Sequence, residues 1–164
     1  VRNCGTMGGS VANNDPSACY PSAVLALGAT ITTNQRSISS DDYFVGMFET
    51  ALNSNEIITQ ISFPIPDKSS YIKFPNPASR YAMVGVFMAK TGNKVNVAIT
   101  GASENGVFRS SEIENALTAN FTLESIDGLN ISSDGLISDI HASSSYRANL
   151  IKEMAKRALK EIIT

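Results

Sequence analysis

Two stretches dominate the distribution of apolar positions along this chain. From Tyr81 to Ala89 nearly every residue is apolar, as in a strand covered on both faces or a buried helix. Gly85 and the β-branched residues within it favour the strand. From Tyr146 to Ile163 the pattern changes period. Leu150, Ile151, Met154, Ala155, Ala158, Leu159 and Ile162 fall on one helical face, and Lys152, Glu153, Lys156, Arg157, Lys160 and Glu161 on the other. That helix, preceded by Ser143-Ser144-Ser145, must lie across a sheet with its charged back in solvent.

Shorter signals fill in the rest. Pro21 to Leu27 reads as a helix with Pro at its first position and Gly28 at its exit. Ala29 to Thr33 reads as a strand, Asn34-Gln35-Arg36 as a turn, and Ser37 to Ser39 as its partner strand. Ser40-Asp41-Asp42 offers a helix cap before Tyr43-Phe44, and Phe48 to Leu52 reads as a connecting segment. Glu56 to Phe63 alternates like a strand that Pro64 and Pro66 terminate. Lys94 to Ala102, alternating over Val95, Val97 and Ile99, is the expected partner of the long apolar strand across a Thr91-Gly92-Asn93 turn. Asn105-Gly106 signals a hairpin with Val107-Phe108-Arg109 returning. Glu112 to Leu117 reads as a short helix, while Phe121 to Ile126 fits a helix or a strand. Four of the six prolines fall at 64, 66, 75 and 77, and with polar Asp67-Lys68-Ser69-Ser70 they place a domain boundary near residues 66–69.

At 164 residues, 43% apolar and 17% charged, the chain can bury a real core in one domain or two small ones. A net charge of −2 gives no reason to expect a nucleic-acid partner, and no apolar run approaches the ~20 residues of an integral membrane segment. Cys4 and Cys19 do not make a disulfide framework and fit reduced thiols in a cytoplasmic protein. One His and two Cys do not make a zinc site, and His141, in Asp139-Ile140-His141-Ala142-Ser143, fits a local hydrogen-bonding role. The serines cluster in turns and caps without a nucleophile–base pair, and the Walker-type and Gly-x-Gly-x-x-Gly phosphate motifs are missing.

What remains is the amino-terminal run Cys4-Gly5-Thr6-Met7-Gly8-Gly9-Ser10, followed by Val11-Ala12-Asn13-Asn14-Asp15-Pro16. Bare backbone flanked by hydroxyls and amides suits either a tight turn between elements or a concavity for phosphate or another electron-rich group. Any chemistry would then belong to a bound cofactor, with the protein supplying orientation and electrostatics.

The pieces Arg2-Asn3, Thr6-Met7-Gly8-Gly9-Ser10, Ala12-Asn13-Asn14-Asp15-Pro16 and Leu25-Ala26-Leu27-Gly28-Ala29 resemble the second flavin motif in the FAD-binding (medium) subunit of the molybdenum hydroxylases. That family includes the aerobic carbon monoxide dehydrogenase medium subunit and the xanthine dehydrogenase FAD domain. The resemblance continues through Lys73-Phe74-Pro75-Asn76-Pro77-Ala78-Ser79-Arg80-Tyr81-Ala82, Val97 to Ala102, Ser145-Tyr146-Arg147 and Lys156 to Leu159. It implies an α+β chain: residues 1–66 as the second lobe of a PCMH-type FAD-binding domain, then residues 67–164 as a carbon monoxide dehydrogenase flavoprotein C-terminal-like domain, an antiparallel sheet packed with helices.

By resemblance, Thr6, Gly9 and Ser10 match flavin-contacting positions. Gly8 lets the turn close, Asn13 and Asp15 match the small polar positions that follow, Ile57 or Ile58 an apolar neighbour of the cofactor, and Lys73 a cation approaching the ring. The alternative for Lys73 is an ordinary solvent lysine. Cys19 departs from the family, standing where relatives commonly carry an acid. The resemblance further implies an oxidoreductase in which this chain carries FAD, while partner subunits hold the molybdenum cofactor (large subunit) and two [2Fe–2S] clusters (small subunit). Electrons would pass from the clusters through FAD to an external acceptor, in a possible dimer of heterotrimers.

The chain opens at Val1 inside the motif. It is therefore expected to be part of a longer polypeptide whose preceding lobe carries another Gly-rich turn, and by itself to be inactive and weak in FAD binding. Two rival readings are a non-catalytic interaction module that has lost FAD and a different flavoenzyme, such as a cell-wall precursor reductase.

Overall fold

A computed structural model describes residues 4–164, so Arg2 and Asn3 of the amino-terminal motif lie outside the described residues. Helices α1 (Met7–Asn13) and α2 (Tyr20–Ala26) lead into the hairpin β1 (Thr30–Thr33) and β2 (Ser37–Ser39). A single turn, α3 (Ser40–Tyr43), then precedes the small ladder of β3 (Phe44–Gly46) and β4 (Glu49–Thr50). Strand β5 (Ile58–Ser62) returns antiparallel to β1, giving a sheet ordered β2-β1-β5.

The second sheet is antiparallel in sequence order: β6 (Lys68–Pro75), β7 (Ala82–Thr91), β8 (Lys94–Thr100) and β9 (Phe108–Arg109). Helices α4 (Ser111–Ala119), α5 (Leu123–Asp127) and α6 (Ser144–Ile163) complete the chain. Alternation along the strands explains the long apolar run. Val84, Val86 and Met88 of β7, with Val95, Val97 and Ile99 of β8, join the core formed by α4, α5 and α6. The opposite side meets α2, where Phe87 and Ala98 pack with Leu25 and Ala26. A strand apolar at successive positions is what a sheet covered on both faces requires.

Helix α6 crosses β6 and β7 with Leu150, Ile151, Met154, Ala155, Ala158, Leu159 and Ile162 buried. Fully burying each large aliphatic side chain contributes about 1.5–3 kcal/mol. The helix starts at Ser143, whose hydroxyl accepts the Tyr146 N–H at 3.2 Å. Among the described residues no helix is long and apolar enough to cross a membrane.

Several expectations change. The glycine run is the first turn of α1, not a turn between elements, because Thr6 caps it and buried Val11 anchors it against Val24, Ile31 and Tyr43. The proline-flanked segment after residue 67 is an edge strand, β6, with Pro75 at its end, where no ladder N–H is needed. Phe48 to Leu52 includes β4, and the cap before α3 is Ser39 rather than Ser40. Phe121 to Ile126 resolves into α5. The return after Asn105-Gly106 forms β9 on β8, although the loop between them runs from Gly101 to Val107 rather than over two residues.

Candidate cofactor site

The start of α1 presents backbone with little to cover it. Thr6 Oγ1 accepts the Gly9 N–H at 3.0 Å, and both residues are exposed. Gly8 lies against β5, where an added Cβ would meet the Ile58 side chain at 4.0 Å. Thr6, Gly8, Gly9 and Ile58 therefore share one small surface, with Ser10 partly exposed one residue on. The first N–H groups of a helix have no intrahelical acceptor, and the axial dipole there favours electron-rich partners. Asn13 is exposed in the last turn of α1. Asp15 accepts the Ser17 N–H at 2.8 Å and shapes the loop into α2.

Two networks fix this surface. Buried Asn14 ends α1 in the left-handed region (φ 44°) and donates from Nδ2 to the carbonyls of Gly46 (2.8 Å) and Glu49 (3.0 Å). On the other side, Glu56 fixes the approach to Ile58. Its carboxylate accepts from Arg36 Nε (2.9 Å), Thr33 Oγ1 (2.8 Å) and the Asn53 N–H (2.8 Å). The Arg36 guanidinium, then the Asn53 N–H, hold Glu56 at about 2 against the burial that would raise it.

Lys73 sits elsewhere in the sequence but close to the same segment. Its ammonium donates to the Arg80 carbonyl at 3.1 Å and reaches Cys19 Sγ at 3.5 Å. Strand register places Lys73, Gly85 and Thr100 in one row across β6, β7 and β8, on the face toward α2. The loop before Cys19 is tied to that sheet where the Gly101 N–H donates to the Pro16 carbonyl at 2.7 Å. The structure thus gathers the candidate residues into two groups, Thr6–Gly8–Gly9–Ile58 and Lys73–Cys19, joined by the Asn14–Ala18 loop.

Sequence reasoning offered Asn14 only as one more donor or acceptor beside the glycines and did not single out Glu56 or Tyr71. A buried polar residue in a sequence full of exposed ones has no signature until its partners are known. The left-handed preference of Asn is the signal that could have found the role of residue 14. His141 makes its local bond through the backbone, its N–H donating to Asp139 Oδ1 at 2.9 Å, and its imidazole is exposed.

The residues fit contact with part of an electron-rich cofactor: glycines leave room at the α1 start, Thr6 and Ser10 supply hydroxyls, and Ile58 offers an apolar side. Comparison defines the class. Residues 1–66 match the FAD binding domain in molybdopterin dehydrogenase. The chain is 32% identical to the glyceraldehyde dehydrogenase medium chain of Sulfolobus acidocaldarius, over 99% of this chain and 63% of that protein. It is 30% identical to the nicotine 6-hydroxylase medium subunit of Paenarthrobacter nicotinovorans, over 98% and 62%. A solved carbon monoxide dehydrogenase from Hydrogenophaga pseudoflava, which lacks the Mo-pyranopterin moiety of its cofactor, superposes with a TM-score of 0.80 at 26% identity, over 99% of this chain and 62% of that one. Across nearly its whole length the chain is similar to medium subunits such as these, and it spans less than two thirds of their length.

Proposed function

We propose that this chain is the FAD-carrying, electron-transferring part of a molybdenum hydroxylase complex. The observation that carries the reading is the bare, Thr6-capped start of α1 lying against Ile58, within the residues that match the FAD-binding family. In this reading residues 1–66 form one lobe of the FAD-binding domain and residues 67–164 a C-terminal domain that supports it. Thr6, Gly8, Gly9 and Ser10 hold the cofactor through backbone and hydroxyl groups, and Ile58 shields one side. Asn13 and Asp15 line the polar edge, and Lys73 brings a positive charge. When bound, FAD supplies the capacity to accept and pass on electrons.

The partners are a large molybdopterin subunit and a small [2Fe–2S] subunit, in a dimer of heterotrimers in the cytoplasm. Residues 1–164 span less than two thirds of these relatives, and alone they are expected to hold FAD weakly. In this reading the run Phe74 to Val86 resembles carbon monoxide dehydrogenase-type medium subunits.

Co-expressing the full-length subunit with its two partners tests this. A stable complex whose flavin absorbance bleaches when the iron–sulfur subunit is reduced is expected, and a subunit that neither associates nor bleaches refutes it. One observation favours a second reading, a subunit-interaction module without cofactor: Cys19 replaces an acid and already engages Lys73. FAD binding by the full-length subunit eliminates that reading.

A further inference from the structure

A cavity of about 470 Å³ lies where α2 and α3 meet β9 and the start of α4. It shares no lining residue with the candidate cofactor surface. Leu25 and Phe44 wall it on one side, Val107 and Phe108 on the other. Its polar residues are Ser40, Asp41, Arg109 and Glu114. Small-molecule sites have this size and this make-up, apolar walls with a few placed polar groups.

Ser40 is 0% exposed, and its Oγ is sealed from solvent with no hydrogen-bond partner among the described residues. Buried hydroxyls are nearly always paired, so an orphan lining a cavity points to a ligand. Arg109 has donors to spare in the same cavity. Glu114 accepts from its Nε at 2.6 Å and its Nη2 at 2.9 Å, and Asn96 Oδ1 accepts from Nη2 at 2.7 Å. The N–H groups of Nη1 meet only Asp41 Oδ1, at 3.7 Å, too far for a hydrogen bond. Glu114 is committed, since its Oε1 also accepts the Val97 N–H at 2.7 Å. The Asp41 carboxylate is available: its side chain is 62% exposed, which sets it at the mouth of the cavity and Ser40 at the floor. One guanidinium against two carboxylates leaves the lining net negative, which works against an anion, and the guanidinium itself works against a cation.

We propose that this cavity binds a small neutral molecule carrying a planar amide, a carboxamide or lactam, on an apolar ring. The carbonyl oxygen accepts from Ser40 Oγ and Arg109 Nη1, the amide N–H donates to Asp41, and the ring packs against Phe44 and Phe108. None of these residues belongs to the proposed flavin surface, so the two readings stand or fall separately.

Benzamide, benzoate and benzamidinium share one shape and differ in charge. The test is to titrate each into the purified full-length protein and follow binding by ligand-observed NMR. Benzamide is expected to bind about five-fold more tightly than either ion, the worth of one hydrogen bond. Ser40→Ala removes an unpaired hydroxyl, so benzamide should bind about five-fold more weakly with no loss of melting temperature. Asp41→Asn, at an exposed position, should narrow the gap between benzamide and benzoate about three-fold by removing a negative charge. No benzamide binding, equal binding of the three probes, a preference for either ion, or binding unmoved in both variants overturns the proposal.

Discussion

Arg147, buried in the first turn of α6, donates from one guanidinium nitrogen to the carbonyl oxygens of both Met83 (2.7 Å) and Gly101 (2.9 Å). Its other terminal nitrogen donates to Asp139 at 2.8 Å. One side chain thus ties the last helix to the start of β7 and to the turn after β8. Arg147→Met would strand two buried carbonyls, and a cost of about 2–4 kcal/mol is expected. Arg147→Lys recovers only part of it, because an ammonium lacks the planar fork. Denaturant unfolding checks both, and an Arg147→Met loss below about 1 kcal/mol would show that the clamp is dispensable.

Gly101 stands at the same junction for a steric reason. Its φ is +80°, and a Cβ there would lie 2.3 Å from the Ala82 carbonyl oxygen. Gly28 shares the left-handed conformation (φ +65°) but faces open space. Gly101→Ala should therefore cost well over the roughly 1 kcal/mol expected for Gly28→Ala. Equal melting shifts for the two variants would contradict the packing described.

Stability should fall in acid through Glu56. Its folded-state value of about 2 lies below the ordinary 4.5, so the carboxylate stabilises the fold above about 4.5. That contribution is lost as pH falls from 4.5 toward 2. Asp139 acts in the same direction: against the burial that would raise it, the N–H groups of His141 and Ala142 and the Arg147 guanidinium keep it low. In a series of melting curves the gap between wild type and Glu56→Gln should close across that window. A gap independent of pH would assign the effect to packing rather than charge.

Much of this was legible beforehand because periodicity and burial agree. The run Ala82–Ala89 fitted a strand covered on both faces or a buried helix, and α2 and α6 are the two covers of the strand it forms. The face of α6 from Leu150 to Ile162 is the one buried. The fold departed from expectation where tertiary contacts outweigh local preference. Gly8 and Gly9 weaken a helix in isolation, yet the Thr6 cap and buried Val11 hold them in α1. Prolines at 64, 66, 75 and 77 hid β6, which lies between them and carries only Pro75, at its end on the sheet edge. The candidate site rested on the resemblance of Thr6, Gly8, Gly9 and Ser10 to a flavin motif. Its supports, Asn14 and Glu56, were not legible, since their value depends on residues 32 to 35 and 20 to 23 positions away.

Gly8→Ala separates stability from cofactor binding. The new Cβ meets only Ile58, at an ordinary 4.0 Å, and alanine favours a helix over glycine by about 1 kcal/mol. The folded state should gain up to that amount while FAD retention falls about ten-fold, because the methyl covers backbone the cofactor needs. Unfolding curves and flavin content on one preparation decide it, and undiminished flavin would remove Gly8 from the site.

In the proposed reading the start of α1 and Ile58 form part of a flavin cradle. Its most direct measurement is the visible spectrum of the full-length protein after reconstitution with FAD and removal of free cofactor. A near-stoichiometric flavin band, lost when Ile58→Asp places a carboxylate on the apolar wall, is the predicted result. A colourless protein that is otherwise folded would contradict the account.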